Sequence, residues 1–157
     1  MVEKKSLAAI FTSFMLFSVL FSLLSVSAVA AQPQETLVKQ YTETYPDGSY
    51  AVVSVYQNEP LTRSGPISGH KDYNYYDGGL AWTFTVNGTF TYTGSSAVCQ
   101  AASCTYSIHN NVWYCVSSSA NPSGNAAVAS GTMCRGTDGR RVYPSVTLYC
   151  SPNGSLS

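Results

Sequence analysis

Residues 80–93 read LAWTFTVNGTFTYT, and apolar and polar side chains alternate along this stretch almost without interruption. The odd-numbered positions hold mainly threonine. The even-numbered positions hold the large apolar residues Leu80, Trp82, Phe84, Val86, Phe90 and Tyr92. Because successive side chains of a β-strand point to opposite faces, the pattern predicts a strand with one buried face.

Asn87-Gly88, in the middle of this stretch, is a common signal for a two-residue hairpin. Such a hairpin would place Phe84 opposite Thr91, and Phe90 would then point away from Phe84. A single strand keeps all the large apolar residues on one face. We therefore favour one long strand, with a bend or bulge at Gly88.

Shorter strand patterns surround the long strand. Residues 37–45 and 49–56 flank Pro46-Asp47-Gly48, which favours a chain reversal and predicts a hairpin. Residues 57–71 are rich in glycine and proline and are expected to form a long loop. Further strands are expected at residues 105–109, 112–118, 126–133 and 142–150. Seven or eight such strands predict an all-β chain folded as a single β-sandwich of immunoglobulin-like architecture.

The N-terminal segment has the features of a secretory signal peptide. Lys4 and Lys5 precede an apolar run over residues 7–26, and Ala28-Val29-Ala30 supplies the small residues of a cleavage site. A transmembrane anchor is the alternative, since about 20 apolar residues can span a bilayer. The small-residue exit favours cleavage. We expect a signal peptide at residues 1–31, a flexible lead at 32–36, a β-sandwich domain at 37–157 and a secreted, extracellular protein.

The charge of the exported part excludes several partners. Removal of the leader takes away two lysines and one glutamate, which leaves six basic and seven acidic residues. Such a nearly neutral chain has no electrostatic footprint for nucleic acid or for an anionic membrane. Its cysteines form no C-x-x-C motif, and only His70 and His109 could add imidazole ligands. No metal or other cofactor is therefore expected.

Five cysteines in an exported chain favour disulfides. If Gly124-Asn125 is a two-residue turn, Cys115 and Cys134 oppose each other in the resulting hairpin. Opposed residues of an antiparallel pair lie within disulfide range. We therefore expect a Cys115–Cys134 bridge.

The other three cysteines leave two alternatives open. A Cys99–Cys150 bridge would tie the end of the long-strand region to the last strand, and Cys99–Cys104 would close a tight loop. We prefer Cys99–Cys150, which leaves Cys104 as the unpaired thiol.

Several segments resemble a family of small proteins exported by Gram-positive bacteria, a family without an established activity. The segments are YYD at 75–77, LAWTFTV at 80–86, GTFTYTG at 88–94, Trp113, SGNA at 123–126, VTLYC at 146–150 and NGSLS at 153–157. The likeness covers about residues 45–157. It implies an exported bacterial β-protein and carries over no site residues. Cys104 and Cys134 depart from the family pattern.

The tyrosines are the best functional signal. Tyr73, Tyr75 and Tyr76 precede the long strand, and exposed tyrosines suit sugar faces and protein surfaces. The alternative is that they build a half-buried sheet face. Arg140-Arg141, at an expected hairpin tip, would either contact an anionic wall polymer or be solvated.

Two other site hypotheses carry less weight. Asp72, Asn74 and Asp77 offer oxygen ligands for a weak calcium site, but the spacing departs from that of a calcium-binding loop. Residues 65–70, GPISGH, do not match G-x-S-x-G, so no catalytic residue is assigned.

These observations predict a non-catalytic binding or structural module for a cell-envelope polysaccharide or an extracellular protein. The alternatives are a secreted antagonist, either an inhibitor or a bacteriocin-like toxin, and, more distantly, an enzyme.

Overall fold

The computed structural model describes residues 34–58 and 65–157, where the chain forms β-strands and no helix. The expected signal peptide and the start of the expected lead lie outside these residues. The first sheet contains β1 (Glu35–Thr44), β2 (Tyr50–Asn58), β3 (Gly65–Tyr76), β4 (Leu80–Tyr92) and β5 (Ala97–Ile108). The second contains β6 (Trp113–Ser123), β7 (Ala126–Arg135), β8 (Arg141–Val142) and β9 (Ser145–Tyr149).

The two sheets are antiparallel and pack face to face around a common apolar core. The all-β class and the two-sheet arrangement are therefore confirmed. Strands β1 to β5 lie in chain order, and β7 of the second sheet pairs with β6, β8 and β9. An immunoglobulin domain instead distributes its strands through Greek-key connections. The immunoglobulin-like architecture is not confirmed.

The long strand is β4, and it runs without interruption from Leu80 to Tyr92. Trp82, Phe84 and Phe90 are completely buried on its inner face. The irregularity expected near Gly88 is a register shift against β5, at Thr89 and Phe90. The alternation of large apolar residues and threonine thus specifies both the strand and its buried face.

The long loop expected over residues 57–71 is wrong for the part of that range that the structure describes. Strand β2 continues to Asn58 and β3 begins at Gly65. The described pairing of β2 with β3 ends where Gln57 faces Gly69. Pro66 lies beyond this pair, so its lack of an amide hydrogen removes none of the described hydrogen bonds to β2. Glycine and proline here mark a strand end and a close contact.

Gly69 is required by close packing against β2 and against Leu156 near the end of the chain. It pairs with Gly88 of β4 on the inner face. A Cβ atom at Gly69 would overlap the backbone oxygen of Tyr56 and a methyl group of Leu156. A Cβ atom at Gly88 would lie 2.6 Å from the ring of Phe90. The absence of side chains at these two positions makes room for the buried Phe90 and Leu156.

The expected Cys115–Cys134 bridge does not fit the register of the β6–β7 hairpin. Its turn is the expected Gly124-Asn125, because Ser123 faces Ala126 across the ladder. A bulge between Cys115 and Ser117 then shifts the register by one residue. Cys115 therefore faces Met133, and Cys134 faces Tyr114.

All five cysteines have free thiols in this structure. The Cys99–Cys104 alternative is wrong because both residues lie on β5. Five residues of an extended strand span about 16 Å, whereas bridged Cα atoms lie less than about 7 Å apart.

We expect Gly69→Ala to lower the free energy of unfolding by roughly 1–3 kcal/mol, because the added methyl group overpacks a rigid backbone contact. Gly79→Ala is the matched control, since a Cβ atom there meets nothing within 4 Å. Urea denaturation of both variants measures the difference. Equal stability of the two variants would contradict the packing argument.

Candidate functional site

A pocket of about 580 Å³ opens between the sheets at one end of the sandwich. Ligand sites of small molecules commonly have volumes of about 300–1,000 Å³. We call it the aromatic pocket, and its lining consists of Tyr45, Pro46, Asp47, Tyr73, Tyr75, Arg140, Arg141, Val142 and Tyr143. The β1–β2 turn, the end of β3 and the start of β8 thus meet at one cavity.

The three tyrosines expected to bind a ligand do not form one exposed cluster. Tyr73 and Tyr75 are 7% and 1% exposed, and both point to the inner face of β3. Tyr76 stacks instead on Tyr50, with ring centroids 4.6 Å apart. The expected exposure is therefore wrong for Tyr73 and Tyr75, although both line the aromatic pocket.

The inner wall of the pocket is continuous with the core. The ring of Tyr75 stacks on Trp82 at 4.8 Å and meets the edge of Trp113 at 5.7 Å between centroids. Tyr73 also stacks on Trp82, at 5.7 Å. Since these rings are fixed by packing, the wall is preorganised.

Arg140 organises a closed hydrogen-bond network on one side of the pocket. Its guanidinium donates to the Tyr75 hydroxyl at 2.7 Å, and Tyr75 donates to the Ser49 hydroxyl at 2.9 Å. Ser49 donates to the Asp47 carboxylate at 2.6 Å, and Arg140 completes the circuit by an ion pair with Asp47. Hydrogen bonds from the Ser49 hydroxyl and amide, and the nearby Arg140, lower the pKa of Asp47.

A second chain of hydrogen bonds leads out of the pocket. The Tyr45 hydroxyl donates to the Glu43 carboxylate at 3.3 Å. That hydroxyl has a single proton, so Tyr73 is the donor in the Tyr73–Tyr45 hydrogen bond. Burial, and then this hydrogen bond, raise the pKa of Tyr73, which therefore stays neutral.

Ion pairs hold the β7–β8 segment against the first sheet. Arg135 pairs with Asp77 at 2.7 Å and with Asp138 at 2.5 Å, and its guanidinium lies 5.8 Å from the Trp113 ring centroid. The pKa of Asp138 is lowered to about 2, and the main cause is the hydrogen bond that Asp138 accepts from Arg135. The alternative of a solvated tip is thus wrong for Arg140, which is held beside Asp47 and Asp77.

Arg141 and Tyr143 form the exposed rim of the pocket. Tyr143 is 67% exposed, and no ion pair among the described residues involves Arg141. The lining therefore has two guanidinium groups and one carboxylate, which is already paired with Arg140. Tyr143 and Ser49 were not among the expected site residues, because neither lies in a recognisable motif.

Other contacts occupy the oxygen side chains considered as calcium ligands at residues 72–77. Asp72 and Asn74 accept hydrogen bonds from Thr85 and Thr83 across the sheet, both at 2.7 Å. Asp77 is neutralised by Arg135. Across residues 34–58 and 65–157, no group of three His, Cys, Asp or Glu side chains could hold a metal ion.

A smaller polar cleft of about 290 Å³ lies on the outer face of the first sheet. There, His70 Nδ1 lies 2.9 Å from Glu35 and His70 Nε2 lies 3.6 Å from Asp72. Ser68 lines the same cleft and accepts a hydrogen bond from Asn58. Both imidazole nitrogens face carboxylates, so His70 does not make the contact to Ser68 that nucleophilic catalysis requires.

No protein family, curated protein or solved structure matches this chain. In the ranges that the structure describes, no helix has the length and apolar character needed to cross a membrane.

His70 should make the stability of the fold depend on pH. Asp72, and to a lesser extent Glu35, raise its pKa against the opposing effect of partial burial. The stabilisation is therefore complete below the unfolded-state pKa of about 6.5 and is lost as the pH rises through the higher folded-state value.

We expect His70→Gln to destabilise the protein more at about pH 5.5, below the unfolded-state pKa of the imidazole, than at about pH 8.5. Chemical denaturation at the two pH values measures this difference. His109→Gln is the matched control for the loss of a histidine, since His109 is exposed and forms no ion pair among the described residues. An equal loss of stability at both pH values for His70→Gln would refute the assignment.

Proposed function

We propose that the chain is a secreted, non-catalytic binding module whose aromatic pocket takes an anionic sugar unit of a cell-envelope polysaccharide. The observation that carries the proposal is the conjunction of tyrosine walls and an arginine pair in one cavity. Secretion rests on the signal-like residues 1–31.

The tyrosines fit the sugar ring of such a ligand. The apolar face of a pyranose packs against an aromatic ring, while the phenol hydroxyl exchanges hydrogen bonds with sugar hydroxyls or water. Tyr143 offers an exposed ring at the rim, and Tyr45 offers a partly exposed ring at the β1–β2 turn. A cavity of about 580 Å³ accommodates one or two sugar units.

The arginines fit the negative charge. A guanidinium group presents N–H donors in a fork that matches a carboxylate or phosphate. Arg140 is already oriented by Asp47 and Tyr75, so it loses little freedom when a ligand binds. Arg141 adds an exposed cation at the same opening. Asp47 and Asp77 balance the charge of Arg140, so Arg141, which has no ion pair among the described residues, is the cation that favours an anionic over a neutral polysaccharide.

The lining does not favour catalysis. Glycoside hydrolysis uses two carboxyl groups that flank the bond to be broken. The aromatic pocket has Asp47 as its carboxylate, and Asp47 is held by Arg140 and Ser49. Binding without turnover is the function that this lining supports best.

We expect Tyr143→Ala and Arg141→Gln each to weaken binding of a carboxylated or phosphorylated wall oligosaccharide by roughly tenfold or more, which corresponds to about 1.4 kcal/mol. Isothermal titration calorimetry with purified wall fragments measures the affinity. Both side chains are exposed, so neither substitution should unfold the domain.

Tyr149→Ala is the matched control, because Tyr149 is 50% exposed and lies outside the pocket lining. It should bind like the wild type. The charge argument further predicts weaker binding at high salt and to a neutral oligosaccharide of the same length. Wild-type affinity in both pocket variants would overturn the site. Failure to bind any wall fragment, with growth inhibition of neighbouring strains, would favour the antagonist.

A further inference from the structure

Strands β5 and β6 bring cysteines to the junction between the two sheets. β5 is the last strand of the first sheet, β6 is an edge strand of the second, and residues 109–112 connect them. Cys99 and Cys104 lie on β5, and Cys115 lies on β6. Cys99 is buried in the core, and the side chains of Cys104 and Cys115 pack against it. These thiols therefore point into the space between the sheets.

Cys99 and Cys150 are attached to the same turn. The Cys99 amide donates to the Gly124 carbonyl at 2.8 Å, and the Cys150 amide donates to the Asn125 carbonyl at 2.9 Å. The backbones of Cys99 and Cys150 are thus hydrogen-bonded to two consecutive residues of one turn. Both are buried, and burial followed by the neighbouring Cys99 raises the pKa of Cys150.

Cys104 on β5 and Cys115 on β6 are both partly buried and pack against the core between the two sheets. The bulge after Cys115 takes it out of register with Cys134, and the Cys115 side chain packs against the apolar core. Burial is the main cause that raises the pKa of Cys115, and nearby Cys104 raises it further.

Cys134 has a different environment. It is 4% exposed and faces Tyr114 across the β6–β7 ladder. Its sulfur lies 3.9 Å from the Arg135 carbonyl oxygen. Its ladder partner is therefore a tyrosine instead of a cysteine, and Cys134 lies outside the apolar cluster that contains Cys99 and Cys150.

We propose that the chain forms two disulfides between the sheets, Cys99–Cys150 and Cys104–Cys115, and that Cys134 remains a buried thiol. Both bridges would join edge strand β5 to the second sheet, one through β6 and the other through the residue after β9. The odd thiol is thereby Cys134 and not Cys104, the residue expected from the sequence.

The oxidant is a small-molecule disulfide such as oxidised glutathione. One protein thiolate attacks a glutathione sulfur and releases one glutathione thiolate, which leaves a mixed disulfide. The second protein thiolate then attacks the protein sulfur of that mixed disulfide and releases the second glutathione. Formation of each bridge therefore transfers two electrons from the protein to one oxidised glutathione. The glutathione is reduced to two thiols, and the protein loses two hydrogen atoms.

The test is peptide mapping by mass spectrometry after the purified chain is equilibrated with oxidised and reduced glutathione. We expect peptides joined through Cys99–Cys150 and through Cys104–Cys115. Alkylation in denaturant without reductant should add one label, at Cys134, and alkylation after reduction should add five. Alkylation of the folded, oxidised protein should add none, because Cys134 is buried.

Cys134→Ser provides a matched control, since it should keep both bridges and lose the single label. Any other pairing, including Cys115–Cys134, would overturn the proposal. Five alkylated cysteines without reductant would also overturn it, as would a dimer linked through Cys134. The wild-type map decides the pairing even if a cysteine variant fails to fold.

Discussion

The contact between Trp82 of β4 and Trp113 of β6 is the interaction on which this fold depends. The two rings meet edge to face, with centroids 6.3 Å apart, and they join the first sheet to the second. Tyr75 packs against both rings. Aromatic pairs of this kind contribute about 0.5–1.5 kcal/mol beyond the area they bury. The aromatic pocket exists because this cluster holds the sheets at a fixed separation beside it.

Tyr75 links the packing of the core to the chemistry of the pocket. Its ring belongs to the tryptophan cluster, and its hydroxyl accepts a hydrogen bond from Arg140 and donates one to Ser49. The cluster also has a cost, because the indole N–H groups of Trp82 and Trp113 are buried without a hydrogen-bond partner among the described residues. An unsatisfied buried donor costs about 1–3 kcal/mol, so shape complementarity outweighs polar satisfaction here. In return, the packed rings form a rigid wall, and Arg140 is hydrogen-bonded to the Tyr75 hydroxyl on that wall.

Local patterns predicted the local structure well. The alternation in residues 80–93 identified β4 and its buried face, and Pro46-Asp47-Gly48 and Gly124-Asn125 identified two turns. Such features depend on neighbours in sequence, and period-two alternation and turn chemistry encode them directly. The family resemblance remains a prediction.

Features that depend on distant residues could not be predicted in the same way. The bulge after Cys115 changes the partner of Cys134, and no residue type marks it in the sequence. Gly69 contributed to the prediction of a loop. Its actual role is to leave space for Leu156, and a contact with a residue so far along the chain is not visible in the local sequence. Likewise, Tyr73 and Tyr75 were recognised as functional candidates. That both side chains face inward and line a pocket with Arg140 follows only from the assembled sheets.

The central claim is that the tyrosine wall and the arginine pair act together as one ligand site. NMR titration of the isotopically labelled protein with a carboxylated or phosphorylated wall oligosaccharide tests it most directly. The account predicts saturable shifts of the Arg140 and Arg141 guanidinium signals and of the amides around Tyr45 and Tyr143, with little change around His70 and Asn87. Shifts confined to the outer-face cleft, or no saturable shifts at all, would contradict it.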